Sequence, residues 1–556
     1  MIQNDKKGIV KYFLNKGYLI SPDFLENYES YSDENILILL KEKISNKEQI
    51  SVINKDIFNI LKENKSIPDI NWNEFENSRI LYEKGRDSRM YDTFLKLLNY
   101  NTSKEKTDEL NSILQDVKKD PEILESFIEE KGLEDENNNV LLVKSYTNPP
   151  KKREPQDFVH YYNKRYEALK KILLNRTELQ NTLSISRVLN KSNREEISII
   201  GMVVEKNVTK NDNLIIVIED ITGQISILVN KSKPELYDKA KNITLDEVIG
   251  ILGIASNKLI FVNNILFPDI PLNSYQKKAE IESYAAFISD IHVGSRLFLR
   301  GEFMKFINWI NGDSGNEQQR KIAMNIKYLF IVGDLVDGVG VYPSQEPELV
   351  IKDVIEQYNE LSKLLSLIRN DIKIIACGGQ HDAIRLSEPQ PPFDKVYSKS
   401  LYDLPNFISV SNPSTINIGS TKTFEGFNVL MYHGASFHYY ISNIDQLRFN
   451  NTPDNPHYVM HYLLQKRHLA PTHGSTVYVP DVDEDPLVID KVPDIFVCGD
   501  MHRSDISQYN NVLTINCSCW QSKTDFQEKI GNDPDPAKVP IFNLKTREIK
   551  IINFGE

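Results

Sequence analysis

At 556 residues the chain is too long for one hydrophobic core, so two to four domains are expected, with the 40% hydrophobic and 26% charged content of an ordinary soluble protein. No apolar run approaches the roughly 20 residues of a membrane helix, and the opening MIQNDKKGIVKYF lacks a signal-peptide core, so a cytoplasmic protein without membrane contact is expected. A formal charge of −12 argues against a protein that coats nucleic acid by bulk electrostatics, yet leaves room for a nuclease, because bound divalent cations reverse the local sign.

In chain order, residues 1–66 carry helical periodicity in VKYFLNKGYL, SPDFLENY (Ser21 as N-cap), ILILLKEKI and INKDIFNILKEN, which predicts a small helical docking module. Residues 67–155 turn polar (TSKEKTDELN, LEDENNNV, NPPKKREPQ) and read as a tether, partly disordered, whose Lys151, Lys152 and Arg153 form a small basic cluster. Residues 156–275 begin with a helix, DFVHYYNKRYEALKKILLNR. Its stripe of Phe158, Tyr162, Tyr166, Leu169 and Leu173 is expected to face a core. Three alternating strands follow, the last two joined at DITGQ, then a helical KPELYDKAKN and two further strands. That order is expected of an OB-fold barrel, and its aromatic-poor strands favour a protein contact over a single-strand one.

Residues 284–556 hold the chemistry. Nine of the ten histidines lie beyond residue 290, several beside aspartates at the ends of apolar runs. FISDIHVG, LFIVGDLVDG, IIACGGQHDA, VLMYHGASF and IFVCGDMHR each read as a buried strand that delivers Asp or His into the turn after it. Strands alternating with helices predict a layered α/β domain with ligands at the carboxyl ends of its strands, and closer strands later predict a second sheet. Carboxylates mixed with imidazoles suit hard divalent ions that activate water for phosphate ester cleavage. Asp290 and His292, in a D-x-H step, can share one ion; Asp334 suits a bridge; His433 and His502 end later strands; Asp382 is placed to orient His381. Cys377, Cys498, Cys517 and Cys519 form no disulfide framework, and Cys517 and Cys519 read as buried small apolar residues or, less naturally, as half of a zinc site.

The ordered set of D-x-H, G-D-x-x-D, a G-N-H-D-like element, a lone His and G-x-x-H resembles the calcineurin-type metallophosphoesterase superfamily. With HDAIRLSEPQPP, YHGASF, LLQKRHLAP and CWQSKTDFQ…PAKVPIFNL, the region from residue 155 onward is similar to the small subunit of archaeal family-D DNA polymerase. The fold so implied is multidomain α+β, with a small helical N-terminal module, an OB-fold β-barrel and a two-sheet α/β calcineurin-like metallophosphoesterase domain. The resemblance implies a proofreading 3′–5′ exonuclease using two divalent metal ions, Mn2+ before Mg2+. It also implies the polymerase D large catalytic subunit, DNA 3′ ends and a sliding clamp as partners, in the cytoplasm at the nucleoid. It assigns the first metal to Asp290, His292, Asp334 and His502, the second to Asp334 and His433, and a catalytic role to His381. Two departures fall on the second metal. Gln380 stands where the family has Asn, and Gly499-Asp500-Met501-His502 stands where it has G-H-x-H. Either Gln380 and Asp500 rebuild that site as ligands, or the domain persists as a structural scaffold for the large subunit. A stand-alone phosphatase would share the ligands but leave the barrel, the helical leader and CWQSKTDFQ unexplained.

Overall fold

A computed structural model of the chain describes residues 140–148, 151–191, 194–256, 258–272 and 276–555, with Leu19, Ile20, Val52, Ile53, Phe75, Ser78, Arg79 and Tyr91. The chain divides into two compact units, Met1–Leu133 and Glu134–Glu556. In the first, Leu19–Ile20 and Val52–Ile53 pair as short parallel strands, and the Phe75 and Tyr91 rings pack with centroids 5.5 Å apart. The rest of the helical module expected over 1–66 lies outside the described residues, as does the tether up to residue 139 apart from Phe75, Ser78, Arg79 and Tyr91, which are helical and buried and so depart from a solvated tether. The four described residues of that module are strand rather than helix, in keeping with two apolar, mostly β-branched dipeptides.

The second unit contains a five-stranded closed barrel. Strands Glu195–Val208 (β2), Leu214–Asp220 (β3), Gly223–Val229 (β4), Val248–Ser256 (β5) and Leu259–Leu266 (β6) close in the order β2-β3-β4-β6-β5. The β3–β4 connection needs only Ile221 and Thr222, because Asp220 pairs with Gly223 and its Oδ1 accepts from the Thr222 amide at 2.7 Å. Alternate residues Leu214, Ile216, Ile218, Ile225, Ile227 and Val229 point inward and fill the barrel.

Two six-stranded sheets make up the rest. The first runs Phe407–Ser409 (β10), Lys373–Cys377 (β9), Ile326–Val332 (β8), Tyr284–Ile288 (β7), Lys538–Asn543 (β16) and Ile549–Asn553 (β17). The second runs Asp505–Tyr509 (β14), Val512–Asn516 (β15), Ile495–Cys498 (β13), Phe427–Met431 (β12), Ser414–Ile418 (β11) and Val140–Ser145 (β1). Between them lies a core in which Phe287, Phe330 and Ile375 of one sheet meet Ile416, Val429 and Val497 of the other. The odd residues of β7 enter this core while Tyr284, Ala286 and Ile288 pack outward under helices Arg300–Ile310 and Val354–Leu365, so the strand is apolar throughout.

Strand β1 corrects the tether expected over 67–155. VLLVKS pairs antiparallel with β11, Val140 opposite Ile418 and Ser145 opposite Ser414, and extends the second sheet by one edge strand. The polar flanks LEDENNN and NPPKKREPQ hid a four-residue apolar run, Val140–Val143, that gains backbone pairing at a sheet edge. Arg153 of the expected basic cluster pairs with Asp481, while Lys151 and Lys152 are exposed.

Helix Pro155–Leu173 joins barrel to sandwich, though not with the expected stripe alone. Tyr166, Leu169 and Leu173 are buried as expected, but Phe158 is 39% exposed, and Tyr161 and Arg165 are fully buried in its place. Arg165 Nε donates to Asp485 Oδ2 at 2.7 Å, and Asp485 also accepts from Tyr161 Oη at 2.7 Å and His468 Nε2 at 2.8 Å. The basic run Lys466–His468 is likewise engaged inside the protein rather than offered to DNA. Lys466 pairs with Glu247 at 2.9 Å over the Phe267 ring, and Arg467 donates to the Ile489 and Asp490 carbonyls.

His468 is held neutral by its surroundings. The Ala470 amide donates to Nδ1 at 2.9 Å, which leaves Nε2–H to donate to Asp485. Burial first, then the neighbouring Arg165 guanidinium, push its pKa down to about 4. A group whose folded pKa lies below its unfolded value of about 6.5 stabilises fully above that value and loses the contribution as pH falls through the folded one. Stability should therefore decline by about 1.4 kcal/mol per unit from pH 6.5 towards 4, on the order of 3 kcal/mol in all. Urea midpoints measured at pH 7, 6, 5 and 4 should show that decline, and His468→Asn should flatten it; an unchanged slope in the variant contradicts the assignment.

Candidate metal centre

The side chains singled out by the strand-end pattern gather at the carboxyl ends of five parallel strands, three from the first sheet and two from the second. Asp290 follows β7, Asp334 follows β8, Gln380 and His381 follow β9, His433 follows β12, and Asp500 and His502 follow β13. Each strand is apolar and buried over its last three residues, so the polar side chains that follow emerge where the two sheets' edges meet. Asp290, His292, Asp334, Asp500 and His502 all have left-handed backbone, with φ between 50° and 66°. That conformation costs an L residue on the order of 1–2 kcal/mol, and it persists where surrounding structure fixes it, as at functional sites.

Three groups of potential ligands result among the described residues: Asp290–His292–His502 and Asp290–Asp334–His433, all buried, and His292–Asp337–His381, in which His381 is half-buried. Asp290 Oδ1 lies 3.4 Å from His502 Nε2 and 3.9 Å from both His292 Nε2 and His433 Nε2. Asp334 Oδ2 lies 3.3 Å from His433 Nε2 and 3.9 Å from His292 Nε2. Asp290 as well as Asp334 thus stands between the imidazoles, where the sequence suggested Asp334 alone. Two glycines permit this close packing. At Gly333 (φ +82°) a Cβ would lie 2.2 Å from His433 Nδ1, and at Gly379 it would lie 2.3 Å from Asp334 Oδ1.

The outer contacts set ring orientation. His433 Nδ1 donates to the Val332 carbonyl at 2.7 Å and His292 Nδ1 to Asp337 Oδ1 at 3.0 Å, leaving both Nε2 lone pairs facing inward. His381 Nδ1 donates to the Asp337 carbonyl at 2.8 Å, and its amide donates to Asp334 Oδ1 at 2.8 Å. Asp337 therefore steers two rings, and the sequence reading assigned it no role although the G-D-x-x-D spacing marks it. Asp382 corrects an expectation. It does not orient His381; its carboxylate turns back to accept from the Gly379 and Leu335 amides and the Tyr358 hydroxyl, bracing the turn after β9. Burial, then the Asp334 charge, raise the Asp382 pKa to about 7. The four cysteines are buried and unbridged, and among the described residues none joins a group able to hold a metal.

Electrostatics and orphaned atoms both fit cations. Burial alone would raise the Asp290 and Asp334 carboxyls, yet His502 and His433 hold both below the usual range. Conversely, burial would lower His433 and His502, but neighbouring acidic groups lift both well above the ordinary imidazole value, Asp334 foremost for His433, and Cys519 and then Asp290 for His502. Asp290 Oδ1, His433 Nε2, Gln380 Oε1 and Asp500 Oδ2 are buried without a hydrogen-bond partner, a costly state unless they ligate something. Gln380 Nε2 donates to Asp500 Oδ1 at 3.0 Å, so the two departing residues touch each other at the second group. Asp500→Ala should lower bound Mn2+ from two ions towards one, and Asp500→His should keep two. Unchanged metal content in the alanine variant, measured by atomic emission after desalting, would reduce Asp500 to a turn residue.

Residues 321–507 match the family described as the B-subunit family of DNA polymerases alpha and epsilon. The DNA polymerase II small subunit of Methanothermobacter thermautotrophicus is 40% identical over 72% of this chain and 79% of its own. That of Methanocaldococcus jannaschii is 39% identical over 70% of this chain and 64% of its own, and that of Archaeoglobus fulgidus 37% identical over 72% and 78%. The identity extends far beyond the ligand turns, and the chain belongs to the archaeal DNA polymerase II, or family-D, small-subunit family.

Proposed function

We propose that this chain removes nucleotides from DNA 3′ ends by manganese-dependent phosphodiester hydrolysis, as the proofreading member of a complex with a large polymerase subunit. The observation that carries this reading is the convergence of buried, unpartnered ligand atoms from Asp290, His433, Gln380 and Asp500 at the strand ends. On this reading residues 284–556 are a calcineurin-like metallophosphoesterase domain and the closed barrel is an OB-fold. Asp290, His292 and His502 would hold one cation, and Asp334 and His433, with Asp500 added, the other. Two such ions supply Lewis acidity towards the scissile phosphate and towards water. Asp337 fixes His292 and His381, so that His381 keeps Nε2 free to give a proton to the departing 3′-oxygen. With a net charge of −12, the chain leaves most of the DNA grip to its partner.

Digestion of a 3′-labelled single strand tests this: mononucleotide release that needs Mn2+ and stops on chelation is expected, and metal-independent release or none contradicts it. One observation favours the alternative of a structural subunit. The Gln380 amide nitrogen is committed to Asp500 Oδ1, which ties down one oxygen of the second group. A metal count of one, with no digestion, is the result that reading requires.

A further inference from the structure

Residues 519–527, CWQSKTDFQ, which the strand-end pattern leaves unexplained, back one whole ligand group. The Trp520 amide donates to the Asp290 carbonyl at 2.9 Å. Gln521 Nε2 donates to Ser295 Oγ at 2.9 Å and to Asp337 Oδ1 at 3.2 Å, the oxygen that also accepts from His292. Gln527 Nε2 stands 2.9 Å from His502 Nδ1. Asp290, His292 and His502 are thus braced from behind by one stretch of chain.

Gln527 is buried and closes a capping box at helix Asp525–Ile530. Its Oε1 accepts from the Thr524 amide at 3.0 Å, and Thr524 Oγ1 accepts from the Gln527 amide at 3.2 Å. A backbone N–H only donates, so the end of the carboxamide that meets Thr524 is the oxygen and the end that meets His502 is the nitrogen. That nitrogen also only donates. His502 Nδ1 therefore accepts, and the ring proton sits on Nε2, 3.4 Å from Asp290 Oδ1. Ligation through Nε2 needs the reverse, a lone pair there and the proton on Nδ1. A proton on Nδ1 would face the amide hydrogens across a 2.9 Å contact.

We propose that Gln527 is a positioning residue for His502, and that its carboxamide turns over when His502 takes a cation, exchanging the Thr524 amide for the His502 Nδ1–H. The inference rests on the cation reading of Asp290, His292 and His502 above. One carboxamide cannot serve both donors, since Oε1 is its only acceptor. Loading the site therefore opens the cap of helix Asp525–Ile530, and the cap in turn loosens the site. Thr524 is half-buried, so water reaches the amide that is released.

Free Mn2+ counted by electron paramagnetic resonance, in titrations of the full chain without DNA, reads affinity apart from activity, and His502→Ala shows which ion depends on His502. Gln527→Glu keeps the capping box, and its two oxygens accept from Thr524 and His502 together. It should tighten the His502-dependent ion about 10- to 100-fold and leave the other unchanged. Hydrogen exchange at the Thr524 amide, resolved by mass spectrometry, is the second readout. Saturating Mn2+ should speed that exchange in wild type but not in Gln527→Glu, whereas a merely structural cap would be slowed or unmoved. Equal or weaker Mn2+ binding in Gln527→Glu, or a wild-type Thr524 amide that Mn2+ does not speed, overturns the role of Gln527 and leaves the cation reading standing. Wild type that binds no ion dependent on His502 removes that reading, and this inference with it.

Discussion

His381→Ala should lower the rate of 3′-nucleotide release by about 100- to 10,000-fold, the usual contribution of a positioned proton donor, while Mn2+ content stays at two. The separation of the two readouts follows from geometry. His381 joins neither of the two groups built on Asp290, and in the group it shares with His292 and Asp337 its ring is held through Nδ1 by the Asp337 carbonyl, with its edge against His292 at 4.7 Å between centroids. Its removal leaves the carboxylates and the other imidazoles in place. Quench-flow rates at saturating DNA, set beside metal analysis of the same preparation, check the prediction. Wild-type turnover in the variant contradicts the role, and so does loss of both ions.

Asp485→Ala should cost about 3–5 kcal/mol of stability, the range for breaking one partner out of a buried ion pair. Asp485 is the common acceptor for Arg165, Tyr161, His468 and the Leu487 amide, and Arg165 is 1% exposed. Without the carboxylate, a guanidinium stays buried at the join between the barrel-side helix and the sandwich. Burial works against the charge on Arg165, and Asp485 more than offsets it, holding the guanidinium firmly protonated. Replacing both partners, as in Arg165→Met with Asp485→Leu, should recover most of the loss, since two apolar groups leave no stranded charge. Denaturant unfolding of the three proteins decides between a charge effect and simple loss of packing. An alanine variant within about 0.5 kcal/mol of wild type contradicts the former.

The candidate metal centre was legible because its residues are written at fixed places in a simple pattern. Each ligand follows a run of buried Ile, Val, Phe or Ala by one to four residues, and no surface strand would be so apolar before an Asp or His. What the pattern does not contain was missed. Asp382 follows His381 in the chain, which invited a role on its ring, but the turn points its carboxylate backwards to three donors. Asp337 acts through the fold, turning the His292 and His381 rings from the far side of a turn, and its place in the G-D-x-x-D spacing did not tell which rings it would meet. Arg165 broke the apolar stripe because its partner, Asp485, is 320 residues away, and hydrophobic periodicity is blind to a buried ion pair. Lys466 is buried in the same way, its partner Glu247 lying far off in the sequence. Strand β1 was lost between charged flanks, since a four-residue apolar segment declares itself only beside the sheet edge that receives it.

The most direct test uses the chain in complex with its large subunit and a primer–template ending in a 3′ mismatch. With Mn2+, wild-type complex should release the mismatched nucleotide before extension, and Asp290→Asn should abolish that release while polymerisation on matched primers continues. Release that persists in Asp290→Asn, or a wild-type complex that releases nothing, would contradict the assignment of strand-end hydrolysis to this cluster.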